Sequence, residues 1–128
     1  NMEFDKKFIY QLLAKANSSE RLRQNYDLRN SVADTSQRML NALQPGTRVP
    51  IHQHVNTGET VICIYGCLEE IFYEPTNVGN TEFKEIQRIL LSPEKGIYGM
   101  QIPAGTWHSI HVIEPSVIFE AKDGAYKK

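Results

Sequence analysis

The stretch from Gly46 to Gly66, G-T-R-V-P-I-H-Q-H-V-N-T-G-E-T-V-I-C-I-Y-G, constrains this chain more than any other. In an extended strand alternate side chains share a face, so His52 and His54 project together. V-N-T-G can turn the chain, and the strand beginning at Glu59 then returns a carboxylate beside the two imidazoles. Two imidazoles and one carboxylate make half of a site suited to Fe, Mn, Co, Ni or Zn. Further along, P-A-G-T-W-H sets a third histidine, His108, at the start of another candidate strand. All four histidines of the chain lie in these two stretches. An isolated H-x-H is more often a structural pair than a metal site. The full set of spacings, from the first glycine through both histidines and the carboxylate to the closing glycine, favours metal.

Gly46 to Gly66 matches the first cupin motif position for position, and Pro103, Gly105 and His108 match the core of the second. Two positions depart from the family pattern: Ile97 stands where a glycine is expected, with Gly96 one place early, and Val112 stands in place of the closing asparagine. Neither position carries a metal ligand in the family. The stretches L-N-A-L-Q-P-G-T (40–47), I-P-A-G-T-W-H (102–108) and F-E-A-K-D-G-A-Y (119–126) resemble the small WbuC-type cupin metalloproteins, bacterial proteins often associated with surface-polysaccharide gene clusters. The likeness covers roughly residues 20 to 126. It implies a mainly β, single cupin barrel (a double-stranded β-helix, or jelly roll) with an N-terminal α-helical extension. It also implies one divalent transition metal ion held by His52, His54, Glu59 and His108.

Composition agrees with one ordinary globular domain. The 128 residues can bury a core without disulfides. A hydrophobic share of 41% and a charged share of 23% are those of a soluble globule. A net charge of −1 with scattered Lys and Arg gives no reason to expect nucleic acid or an anionic membrane as partner. No apolar run reaches the length of a membrane span, and N-M-E-F-D-K-K lacks a secretory apolar core, so the expectation is a cytoplasmic protein. Cys63 and Cys67 lie four apart on one strand and its end, too awkward for a disulfide, and read as reduced, buried thiols.

Residues 3–16 carry Phe4, Phe8, Ile9, Leu12, Leu13 and Ala16 at helical spacing, and N-S-S (17–19) stops the helix. Residues 20–34 are polar and irregular, read as a short helical turn and loop. Arg21, Arg23, Asn25, Arg29, Asn30 and Ser31 there are most simply solvated. Residues 37–44 favour helix by propensity, but the cupin resemblance and Pro45-Gly46 argue for a strand. Further strands are expected at 49–54, 59–65, 68–74, 82–91, 97–102, 107–113 and 116–122. The domain expectation is therefore 1–35 as a helical extension, covering the barrel or a dimer interface, and 36–128 as the barrel. Cupins often dimerise, so a homodimer is expected.

Strand parity separates the remaining candidates. His108 shares a face with Ile110 and Val112, while His111 points the other way with Ser109. Cys63 shares a face with Glu59 but lies about 13 Å along the strand, too far to be a ligand. Glu120 and Lys122 share one face of the last strand with Ile118. If that face lines the cavity they are candidate catalytic residues; if not, a solvated pair. Arg38 and Asn41 raise the same question more weakly, and Trp107 is expected to pack. A centre of three imidazoles and one carboxylate leaves room for water or substrate and can act as a Lewis acid. The leading functional reading is a metal-dependent enzyme carrying out isomerisation, epimerisation or a related proton transfer on a small polar molecule. A sugar or nucleotide-sugar is implied by the WbuC-type resemblance alone. The alternatives are an iron-dependent oxygenase and a non-catalytic metal- and ligand-binding module.

Overall fold

The structure is a computed structural model that describes residues 1–125; Tyr126, the last residue of the third stretch quoted above, lies outside them. Its elements run α1 (Lys6–Ser18), β1 (Arg23–Asp27), β2 (Ser36–Leu43), β3 (Glu59–Pro75), β4 (Phe83–Leu91), a 3-10 turn (Pro93–Lys95), β5 (Gly99–Ile102) and β6 (Trp107–Asp123). The strands form one antiparallel sheet in the order β1-β2-β6-β3-β4, with β5 added to β3.

Helix α1, expected over 3–16, runs instead from Lys6 to Ser18 with Asp5 as its N-cap: the Phe8 N–H donates to Asp5 Oδ1 at 2.9 Å. Its apolar stripe of Ile9, Leu12, Leu13 and Ala16 packs on Leu40 and Ala42 of β2 and Val117 of β6. Those three strand residues alternate with the inward-facing ones, so the helix covers the outer side of the sheet. The inner side forms a second core, drawn from five strands: Leu43, Val61, Leu68, Leu91, Ile102 and Ile118 among others. Sheet curvature that brings residues of five strands into one cluster is what creates an interior.

Four expectations change. Residues 20–34 contain strand β1, which pairs with β2 from Arg23↔Leu43 to Asp27↔Met39. Its side chains show no clean apolar alternation because it is an edge strand, half-buried only at its start. The expected strand 49–54 is instead irregular, paired at the single position His52↔His108. Pro50 cannot donate to a ladder, which helps explain why pairing stops there. Finally, 59–65 with 68–74 is one strand, as is 107–113 with 116–122.

The break in pattern near residue 66 has a cause. The register between β3 and β6 slips between Cys63 and Leu68, switching the inward positions from odd (Glu59, Val61, Cys63) to even (Leu68, Glu70, Phe72). Gly66 sits in the slip at φ +95°, where a Cβ would meet the Pro115 carbonyl and Ser116. Buried Ser116 repairs the ladder by accepting from the Cys67 N–H at 3.0 Å.

Candidate metal centre

The two motifs identified in the sequence are stitched together by backbone. The His52 N–H donates to the His108 carbonyl at 3.0 Å, and the His108 N–H returns a bond to the His52 carbonyl at 2.8 Å. The Gly105 N–H donates to the His54 carbonyl at 2.8 Å. These three bonds fix the histidine-bearing segments relative to each other before any side chain is considered. Glu59 opens β3, opposite Ile102 on one side and Lys122 on the other. His52, His54, Glu59 and His108 consequently converge, each offering a ligand atom, with these atoms all within 4.8 Å of one another.

The hydrogen-bonding around the cluster determines which way its lone pairs point. His52 Nδ1 lies 2.9 Å from the Pro50 carbonyl and His108 Nδ1 lies 2.8 Å from the Thr106 carbonyl. A carbonyl only accepts, so both Nδ1 atoms carry hydrogen and both Nε2 lone pairs face the centre. His54 Nε2 has the Lys122 ammonium 3.4 Å away, a donor, so it too presents a lone pair. Glu59 Oε2 stands 3.1 Å from His54 Nε2 and 3.6 Å from His108 Nε2. This buried oxygen lacks a hydrogen-bond partner. Three imidazole nitrogens around a buried carboxylate, with one of its oxygens orphaned, make a donor set that fits a divalent cation.

Electrostatics agree. Burial alone would push the Glu59 carboxyl up, but a hydrogen bond from Glu120, contacts with His108 and His54, and the Lys122 charge together hold it below the ordinary carboxylate range. Burial pushes His52 down, toward the neutral ring, against the effect of the Pro50 carbonyl. Glu120 moves the opposite way to Glu59: burial, then its hydrogen bond and proximity to Glu59, keep it protonated well above the usual range. Asn41 Nδ2 donates to Glu120 Oε1 at 3.3 Å.

His52, Glu59 and His108 form part of the wall of a cleft of about 620 Å³, which Glu120, Asn41, Met39 and Ile110 also line. Glu120 and Lys122 do share the inner face, but they do not pair with each other. Lys122 turns to His54 and Glu120 to Glu59 and Asn41. Arg38 is directed away, donating to the Ser36 and Leu28 carbonyls and pairing with Asp34 at 3.4 Å. His111 is on the outer side, 2.9 Å from Glu69 Oε1. Trp107 packs on Phe83, ring centres 5.0 Å apart. Both thiols are free and buried, and burial raises that of Cys63 to about 11.

Two groups of cleft residues were not assigned to the site from sequence. Glu70 is 1% exposed, lines the cleft, and has an Oε2 without a partner. Burial, then the negative charge of Glu59, raises its carboxyl well above the ordinary range. The signal was present in L-E-E-I-F, where Glu70 shares parity with Leu68 and Phe72. Arg21, Arg23 and Asn25, read as solvated, line the cleft together with Gln24; Arg21 and Asn25 are exposed there and Arg23 is half-buried. Only the pairing of β1 puts them there.

The family described as "Domain of unknown function (DUF6016)" matches residues 4–86. The chain belongs to that family. No curated protein matches it. Among solved structures it is similar to KdgF from Halomonas sp., at 15% identity and a TM-score of 0.61, covering 82% of this chain and 81% of that one. It is also similar to the capsular polysaccharide assembling protein CapF from Staphylococcus aureus, at 19% identity and a TM-score of 0.62. That match covers 85% of this chain but 30% of CapF, so this chain spans less than a third of that protein. An oxalate oxidase in complex with the substrate analogue glycolate matches at 16% identity and a TM-score of 0.64, over 88% of this chain and 56% of that one. These likenesses establish the fold: a single cupin domain, mainly β, with one N-terminal helix. Among the described residues no helix is long and apolar enough to cross a membrane.

Proposed function

We propose that this protein is a metal-dependent cupin enzyme that moves a proton on a polar small molecule, by isomerisation, epimerisation or a related reaction. His52, His54, Glu59 and His108 would hold the metal, which would supply Lewis acidity toward a substrate oxygen. The observation that carries the reading is a second carboxyl, Glu120, which lines the same cleft as His52, Glu59 and His108 and is held there by Asn41 Nδ2 at 3.3 Å. Glu59 is held ionised while Glu120, hydrogen-bonded to it, is held protonated. Two carboxyls driven apart in this way are the arrangement expected of an acid–base site. Glu120, anchored by Asn41, can give a proton to a substrate atom and, once ionised, take one from a neighbouring position. Lys122, 3.4 Å from His54 Nε2, adds a positive charge near Glu59. The cleft wall is mixed, with three carboxyls among its apolar residues, which suits polar substrates better than a purely apolar binding pocket.

A sugar or nucleotide-sugar is the favoured substrate class. The WbuC-type likeness of residues 40–47, 102–108 and 119–126 supports it, as does a structural neighbour described as assembling capsular polysaccharide. The test is solvent deuterium incorporation at sugar carbon, followed by NMR, with zinc- or manganese-loaded protein and a panel of sugars and nucleotide-sugars in D2O. Incorporation should occur with wild type and fall about 10²- to 10⁴-fold in Glu120→Gln at unchanged metal content. An absence of exchange across the panel by metal-replete wild type would refute the proton-transfer reading. Oxygen consumption by iron-loaded protein would replace it with the oxygenase.

A further inference from the structure

The arginines of this protein divide into two groups. Arg29 pairs with Asp27 at 2.7 Å, Arg38 with Asp34, and Arg88 with Glu69 and Glu85. Arg21 and Arg23 line the cleft instead, and among the described residues neither has a carboxylate within ion-pair distance. Arg23 is half-buried at the head of β1, with Nη1 donating to the Arg48 carbonyl at 2.6 Å. That bond fixes the guanidinium plane without neutralising it, leaving the remaining N–H groups of the fork for another acceptor. Burial and the neighbouring Arg21 charge both work against the Arg23 cation.

The backbone holds the two arginines in place at some cost. Leu22, between them, has φ +56°, a left-handed conformation that a branched residue rarely adopts. It is kept there by bonds on either side: Thr47 Oγ1 donates to the Arg21 carbonyl at 2.7 Å, and the Gln44 N–H donates to the Leu22 carbonyl at 2.9 Å. Two guanidiniums without a carboxylate partner, carried by one strained turn and lining the cleft that contains His52, Glu59 and His108, form a receptor for an oxyanion. Of the three cleft carboxyls, Glu59 and Glu70 are buried, and among the described residues none of Glu59, Glu70 and Glu120 lies within ion-pair distance of either arginine.

We infer that Arg21 and Arg23 bind the carboxylate or phosphate of an anionic substrate whose remaining atoms extend toward His52, Glu59 and His108. The substrate class is thereby narrowed to acidic or phosphorylated molecules of monosaccharide size, consistent with the cleft volume of about 620 Å³. The inference rests on the cleft being the small-molecule site proposed above, but it does not need the metal or turnover.

Isothermal titration calorimetry tests it with three probes, glucose 6-phosphate, glucuronate and glucose, on metal-free and zinc-loaded full-length protein. At least one anion should bind roughly tenfold or more tighter than glucose, and Arg21→Met and Arg23→Met should each remove about that factor. Arg88→Met, which removes an equal charge elsewhere, should bind like wild type. Arg23→Lys keeps the charge but loses the fork, and should recover only part of the affinity while confirming that the strand still folds. Preference for glucose 6-phosphate identifies a phosphorylated substrate and preference for glucuronate an acidic one. Equal binding of all three probes, no binding of either anion, or wild-type affinity in both methionine variants overturns the proposal. Metal content measured on the same samples separates this outcome from failure of the metalloenzyme reading. A protein that takes up no zinc on loading yet still discriminates the anions sinks only the latter.

Discussion

Replacing Glu59 by glutamine should make the metal-free protein more stable while abolishing its metal site. In the absence of a cation the cluster presents three imidazole lone pairs and a carboxylate to one another, and Glu59 Oε2 is buried without a hydrogen-bond donor. An unsatisfied buried charged acceptor costs about 1–3 kcal/mol. A glutamine amide placed at the same atom can donate to His54 Nε2, 3.1 Å away, and more weakly to His108 Nε2 at 3.6 Å. Its carbonyl can still accept from Glu120. What is lost is the ionic strengthening of that bond and the attraction to Lys122, together about 1 kcal/mol. The net expectation is a gain of about 1–2 kcal/mol, or a rise in Tm of about 3–8 °C for a chain of this length. Thermal and urea unfolding after exhaustive chelation would measure it. Added zinc should then reverse the order, since a ligand at 100 times its Kd stabilises wild type by about 2.7 kcal/mol and the variant hardly at all. A metal-free Glu59→Gln protein less stable than wild type by about 1 kcal/mol or more would refute the reasoning. It would mean that protonated imidazoles already satisfy the carboxylate and that the cluster is an ion-pair network.

Further tests address Glu70, the turn at Gly66 and the helix–sheet contact. Glu70 keeps its proton in the folded state above the value of 4.5 at which the unfolded chain releases it. Its contribution is thus full below that pH and is lost as pH rises through the folded value. The stability of metal-free Glu70→Gln relative to wild type should therefore increase as pH is raised above about 4.5, and a difference independent of pH would be contrary to this. Gly66→Ala must adopt φ +95° against the Pro115 carbonyl and should lose more than about 2 kcal/mol in urea unfolding. A near-neutral result would show that the register slip can relax. Leu40→Ala, at a fully buried position beneath α1, should cost about 2–5 kcal/mol in the same assay without changing metal stoichiometry. Loss of metal in that variant would show that the outer face and the site are coupled.

The chain itself announces the donor set and the sheet. Alternation carries His52 with His54, spacing brings Glu59 after them, and parity divides His108 from His111 within one strand. The apolar stripe of α1 and the β-rich run beyond Val49 are equally local, because a side chain's face follows from its position in the strand or helix. Other features depend on neighbours that local pattern cannot name. Strand β1 is polar, and it exists because β2 offers it a hydrogen-bonding edge from Met39 to Leu43. The segment around His52 looks like a strand but finds only one partner residue, so its imidazole is placed by a single bridge. Periodicity also fails across Gly66, where the slip against β6 reverses which residues face inward and turns Glu70 into the cleft. Whether Glu120 and Lys122 form a pair, and whether Arg21 and Arg23 are solvated, are questions about distance between remote segments. Tertiary structure answers both, because the sheet's curvature decides which charges meet a partner and which are left facing the cleft.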